Sequence, residues 1–156
     1  MRGYGAKDPD IVSSCSIWLS NLLGPNILLS DANLYNVNLP NTLKTIYDNA
    51  FAECALLYEV LLPESLEKIK FAAFNNCRNL SSIVLPNNLT HIEEIAFGNC
   101  NKLNTIIIPE SVIYIKSGAF AECFDVKFYC KVNEQPSKWA DDWNDSNSPI
   151  IWGYKG

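Results

Sequence analysis

Cys54, Cys77, Cys100 and Cys123 follow one another at intervals of 23 residues, and a regular series of thiols is the first place to look for chemistry in this chain. If the interval is the period of stacked coils, the side chains run parallel in single file. A structural metal site needs ligands converging tetrahedrally on one ion, which a file does not provide. Adjacent coils come close enough for a disulfide, but parallel side-chain vectors strain its geometry. The reading this favours is a ladder of small buried thiols, one filling the turn of each coil. Cys15 and Cys130 stand outside the file and could be oxidised, although spacing assigns them no partner.

The other reactive side chains are scattered. His91 is the single histidine. Its equivalents one period away are Thr45, Lys68 and Tyr114, so the position is variable and is expected to face solvent. A catalytic triad or histidine metal centre would need partners that the sequence does not supply. Glu93-Glu94 and Asp141-Asp142 read as charge on a solvated face, and seven glycines form no phosphate-binding loop. Trp139 and Trp143, four residues apart, would share one face of a short helix. With Trp18 and Trp152 they lie towards the ends of the chain, where they could stack on a sugar or cover the exposed edge of a terminal coil. The coverage reading explains why tryptophan is absent from the repeats. No enzyme, metal or cofactor is expected.

These side chains need something to position them, and composition narrows the choice. The 156 residues are 48% apolar and 19% charged, enough for a sizeable core and too few charges for global disorder. A net charge of −5 with no basic run argues against nucleic acid or an anionic membrane as the main partner. The most apolar stretch, Cys15 to Leu29, is broken by Ser20, Asn21, Gly24, Pro25 and Asn26, so no membrane-spanning helix is expected. Val12-Ser13-Ser14-Cys15 has a faint lipoprotein look, but Lys7, Asp8 and Asp10 precede it where a signal peptide would be apolar.

The 23-residue period runs through the chain. Pro40, Pro63, Pro86 and Pro109 keep it, as do the pairs Ala50-Phe51, Ala73-Phe74, Ala96-Phe97 and Ala119-Phe120. Ile46, Ile69, Ile92 and Ile115, and the series Leu43, Leu66, Leu89 and Val112, share the register. Self-similarity at this period predicts a solenoid, whose coils bury an apolar edge only by stacking. In each unit a short strand, as at 80–85, ends at proline. A second short extended piece, as at 89–92, follows, and Ala96-Phe97-Gly98-Asn99-Cys100 is expected to close the coil as a tight helical turn. The organisation is one continuous domain: an N-terminal cap with a degenerate unit at 1–33, four repeats at 34–125, and a capping segment at 126–156. In the degenerate unit Leu23, Ile27 and Leu28 hold repeat positions.

The pattern Leu-x-x-Ile-x-Leu-Pro-x-x-Leu-x-x-Ile-x-x-x-Ala-Phe-x-x-Cys resembles the BspA-like (treponemal-type) leucine-rich repeat over about residues 34–152. It departs from the commoner leucine-rich repeat, with proline where an Asn or Cys would follow the strand. Cys130, Pro136-Ser137-Lys138-Trp139, Trp143-Asn144 and Trp152-Gly153-Tyr154 are similar to the closing segment of many such proteins. The resemblance implies a right-handed, mainly β solenoid with short helical turns. It also implies a secreted or surface-exposed module that recognises an extracellular or cell-surface protein, often in adhesion.

Alternation along the strands then locates a surface. One outward row is Asn36, Glu59, Ser82, Thr105 and Phe128; the other is Asn38, Leu61, Val84, Ile107 and Cys130. Tyr58, with Ser81, Asn104 and Lys127, would add a polar rim. Three apolar side chains in succession, Leu61, Val84 and Ile107, make a candidate contact stripe. Strand propensity, or cover by another segment, would also produce it. A recognition module working through this face is one functional expectation. A structural spacer or self-associating segment is another, and sugar binding by the terminal tryptophans is a third.

Overall fold

The computed structural model describes residues 36–156. Cys15, Trp18 and the degenerate unit at Leu23, Ile27 and Leu28 lie outside them. Among the described residues ten short strands are arranged in three parallel sheets. β1 (Asn36–Asn38), β3 (Glu59–Leu61) and β5 (Ser82–Ile83) form one. β7 (Thr105–Ile108), β9 (Lys127–Cys130) and β10 (Ile150–Ile151) continue the same side of the solenoid as a second. The third is the ladder β2 (Thr45–Ile46), β4 (Lys68–Ile69), β6 (His91–Ile92) and β8 (Tyr114–Ile115). Pairs such as Glu59 with Ser82 and Lys68 with His91 join residues 23 apart, so the sequence period is the coil itself.

Between these sheets the chain turns at 47–54, 70–77, 93–100 and 116–123, and here the structure corrects the expected helical turn. Among the described residues there is no helix. Asn49, Ala72, Ile95 and Gly118 all have φ between 46° and 58°, and Glu53, Asn76, Asn99 and Glu122 between 56° and 64°. Left-handed residues at both ends of each turn cannot propagate a right-handed helix. Alternate amides of the turn instead reach the next coil. Phe51 N–H donates to Ala73 at 2.7 Å, Phe74 to Ala96 at 2.8 Å, Phe97 to Ala119 at 2.8 Å and Phe120 to Trp143 at 3.1 Å. The intervening amides close local turns, as Cys77 to Phe74 at 3.1 Å.

Inside, identical residues lie on identical residues. Phe51, Phe74, Phe97 and Phe120 form a stack with ring centroids 5.1–5.3 Å apart and interplanar angles of 2–8°. The alanine before each phenylalanine is fully buried, as are Ile46, Ile69, Ile92 and Ile115. Burying large apolar side chains in register is the main stabilising contribution, about 1.5–3 kcal/mol for each. At the closing end Trp143 meets Phe120 and Phe128 edge-on at 5.9 and 4.7 Å. Trp139 donates its indole N–H to Val112 O at 3.2 Å. Both rings are buried lids on the last coil, in an isolated bridge and a turn rather than a helix.

The cysteine file is partly as expected. Cys77, Cys100 and Cys123 are buried free thiols whose Sγ–H groups donate to the carbonyls of Phe51, Phe74 and Phe97 at 3.0–3.2 Å. Each thiol thus satisfies a carbonyl of the coil before it. Burial pushes Cys77, Cys123 and Cys130 up to about 12 and Cys100 well above its ordinary value. Cys54 departs from the file, being disulfide-bonded. Cys130 is a free thiol.

Candidate functional site

Strand alternation presents one side of the first-sheet column to solvent. Val60, Ile83, Ile106 and Phe128 point in, while Leu61, Val84 and Ile107 point out with 57%, 73% and 41% of their surface exposed. Ser82 and Thr105 are exposed and Glu59 half-exposed in the neighbouring row, with Tyr58 exposed at its rim. The backbone of Asn36 and Asn38 pairs in register with Glu59 and Leu61.

The register of the last coil corrects two positions. Ile106 pairs with Phe128 and Ile108 with Cys130, an offset of 22 rather than 23. Phe128 and Cys130 are therefore core residues, and the outward row continues through Lys127 and Tyr129. Repeats bury residues one, four and six of the strand segment (Leu103, Ile106, Ile108), whereas Val126, Phe128 and Cys130 are buried by strict alternation. One residue is missing between the first two. The apolar alternation Val126-x-Phe128-x-Cys130 was the signal for it. Since Tyr129 in turn pairs with Ile151, the outward row reads Leu61, Val84, Ile107, Tyr129, Ile151 on five successive coils. Tyr129 packs on Tyr154 at 4.8 Å, with the Lys127 ammonium 5.4 Å from its ring centre.

This face is interrupted once among the described residues. No ladder joins β5 to β7, although the same two coils are hydrogen-bonded through β6–β8 and through the turns. A cleft of about 400 Å3 lies at the interruption, lined by Tyr58, Ser82, Val84, Asn104, Thr105 and Ile107 among others. Its walls carry apolar side chains, hydroxyls and an amide but no ionised group. Apolar walls with a few placed polar groups are a common lining for a binding cleft.

The remaining candidates do not assemble into a reactive centre. His91 is half-buried rather than freely solvated. Its ring stacks on Tyr114 at 4.7 Å and its Nδ1 lies 2.7 Å from the Thr90 hydroxyl. Burial lowers its pKa, and Lys68, Lys70 and Lys116 lower it further against the opposing pull of Glu93. Among the described residues no group of three or more His, Cys, Asp and Glu side chains is placed to hold a metal ion. The buried rings of Trp139 and Trp143 leave no free face for a sugar.

A family model, the BspA-type leucine-rich-repeat region, matches this chain in six copies over residues 23–137. The chain belongs to that family. Two solved structures resemble this BspA-type protein. A leucine-rich repeat protein from Bacteroides ovatus is 29% identical with a TM-score of 0.59, over 63% of this chain and 26% of that one. A leucine-rich repeat protein of T. pallidum is 28% identical with a TM-score of 0.54, over 63% of this chain and 59% of that one. The chain therefore spans less than two thirds of either. No functionally curated protein matches it.

Proposed function

We propose that this BspA-type solenoid is a non-catalytic recognition module that binds an extracellular or cell-surface protein through the outward face of β3, β5, β7, β9 and β10. The observation that carries the reading is the apolar row Leu61, Val84, Ile107, Tyr129 and Ile151, which recurs on five successive coils and flanks an uncharged cleft between Val84 and Ile107. A contiguous exposed apolar stripe on an ordered sheet is costly to leave in water and marks a contact surface. The family and the repeat architecture support a binding or scaffolding role, since stacked coils offer extended surface. A surface or secreted setting fits the family, and no helix among the described residues is long and apolar enough to cross a membrane.

The test is binding to an immobilised panel of matrix proteins by the wild type and by Leu61→Lys/Ile107→Lys. Both substitutions are at exposed positions and should change stability by no more than about 0.5 kcal/mol each. Saturable binding that the folded double variant loses supports the reading. Binding that survives the substitutions refutes it. Concentration-dependent assembly in light scattering, with no binding by either protein, would favour a self-associating spacer.

A further inference from the structure

The third sheet, the β2–β4–β6–β8 ladder, has an outward face of different character. Thr45, Lys68, His91 and Tyr114 form its central row, extended by Lys138, whose neighbour Trp139 bridges to Ile115. Lys44, Lys70 and Lys116 flank that row. Five lysines of a chain carrying −5 therefore stand on one face. Two of them are paired, Lys44 with Glu67 at 2.6 Å and Lys70 with Glu93 at 3.8 Å. Lys68, Lys116 and Lys138 have no ion pair among the described residues. Lys138 is held in place by Tyr114, whose hydroxyl is 3.2 Å and ring centre 4.9 Å from the ammonium. His91, in the middle of the row, has its pKa lowered first by burial and then by Lys68, Lys70 and Lys116, against the opposing pull of Glu93.

We propose that this face binds a linear carboxylated polysaccharide lying along the solenoid axis. The spacing of Lys68 and Lys116 points to the class, with Lys138 one coil further along. Lys68 and Lys116 are two coils apart, and two ring-to-ring steps of the phenylalanine stack put them roughly 10 Å from each other along the axis. A polysaccharide with one carboxylate on every second sugar spaces its charges comparably. Duplex DNA carries one charge per about 1.7 Å, far denser than three unpaired lysines can match. Glu67, Glu93 and Glu94 sit among the lysines and would repel a dense polyanion or a uniformly anionic bilayer. A sparse polyanion can place its neutral sugars beside them. The Thr90 and Ser117 hydroxyls are taken up by Glu67 O and the Asp142 carboxylate, so Thr45 is the hydroxyl of the central row left to a ligand, and Tyr47 and Phe71 are exposed rings at the edge of the sheet on which a sugar can rest.

This proposal is independent of the protein-binding reading, because it uses the other sheet. The full chain would be titrated with hyaluronate oligosaccharides, neutral dextran fragments and a single-stranded oligonucleotide at several salt concentrations. Saturable, salt-sensitive hyaluronate binding is expected, with none to dextran. Lys68→Gln/Lys116→Gln/Lys138→Gln should weaken it at least tenfold while keeping the wild-type circular dichroism, and Leu61→Lys/Ile107→Lys should leave it unchanged. No saturable hyaluronate binding, or undiminished binding by the folded triple variant, overturns the proposal. Tighter binding of the oligonucleotide than of hyaluronate would also overturn it, because affinity would then follow charge density rather than spacing.

Discussion

Phe97→Ala tests whether the phenylalanine stack holds the array together. The ring is fully buried between Phe74 at 5.3 Å and Phe120 at 5.1 Å, and its amide bonds to the next coil at 2.8 Å. An aromatic side chain buries on the order of 150–250 Å2. At ~25 cal/mol per Å2 that is an upper bound of roughly 4–6 kcal/mol. Alanine keeps the Cβ part of this, but the cavity relaxes poorly because both neighbours are fixed by their own coils. The expected loss is about 3–5 kcal/mol. The control is Val84→Ala, at 73% exposure, which should cost no more than about 0.5 kcal/mol. Urea denaturation followed by circular dichroism measures both, with hydrogen exchange to show whether the coils unfold together, since solenoid coils contact only their neighbours. A loss for Phe97→Ala within 1 kcal/mol of the control (about the precision needed to separate them) would refute the assigned register.

Three further outcomes follow from particular residues. Ile95 holds φ 46°, a conformation β-branched residues avoid, so Ile95→Asn should raise stability by up to about 1 kcal/mol in urea; a loss larger than that would show that its packing outweighs the strain. Cys77, Cys100 and Cys123 should resist iodoacetamide in the folded protein and react in urea, as thiols raised by burial expose little thiolate; rapid native-state labelling, read by mass spectrometry, would contradict their placement. His91 has a folded pKa below its ordinary 6.5, so the unfolded chain binds the proton first and stability is lost as pH falls from about 6.5 through the lowered value. His91→Gln should flatten that part of the stability–pH profile, and identical profiles for the two proteins would remove the assignment.

Coil length, core positions and the facing of Leu61, Val84 and Ile107 were legible in the sequence, because stacking forces equivalent residues into the same environment at every period. What was not legible has local causes. The turns imitate a helical spacing from alanine to cysteine, and only Asn49, Asn76, Asn99 and Gly118 hint at left-handed backbone; Ala72, Ile95, Glu53 and Glu122 give no such sign. The single missing residue before Phe128 exchanges the two faces of β9, since strand side chains alternate, and it hid Tyr129 and Ile151 from the outward row. The environment of His91 depends on Tyr114 and three lysines from neighbouring coils, a grouping that no single repeat displays.

The amide bonds between turns have an electrical consequence. The peptide units Ala73–Phe74, Ala96–Phe97 and Ala119–Phe120 each accept from the preceding coil and donate to the following one, as do the units that end at Ala72, Ile95 and Gly118. A third file runs through Asn75–Asn76 and Gly98–Asn99 to Ala121. Peptide dipoles of about 3.5 D lined up head to tail add along the axis, as they do in an α-helix. The turn side of the solenoid therefore carries an axial dipole without a helix among the described residues, with its positive pole at the closing coil, whereas amides beside the strands, such as Lys70 to Ile46 and Lys116 to Ile92, run the opposite way. Glu122, Asp141, Asp142 and Asp145 gather around the peptide units where these files end. Acidic residues there complement the pole, as carboxylates do at a helix N-terminus, so the C-terminal cap is matched to the array by charge as well as by its tryptophans.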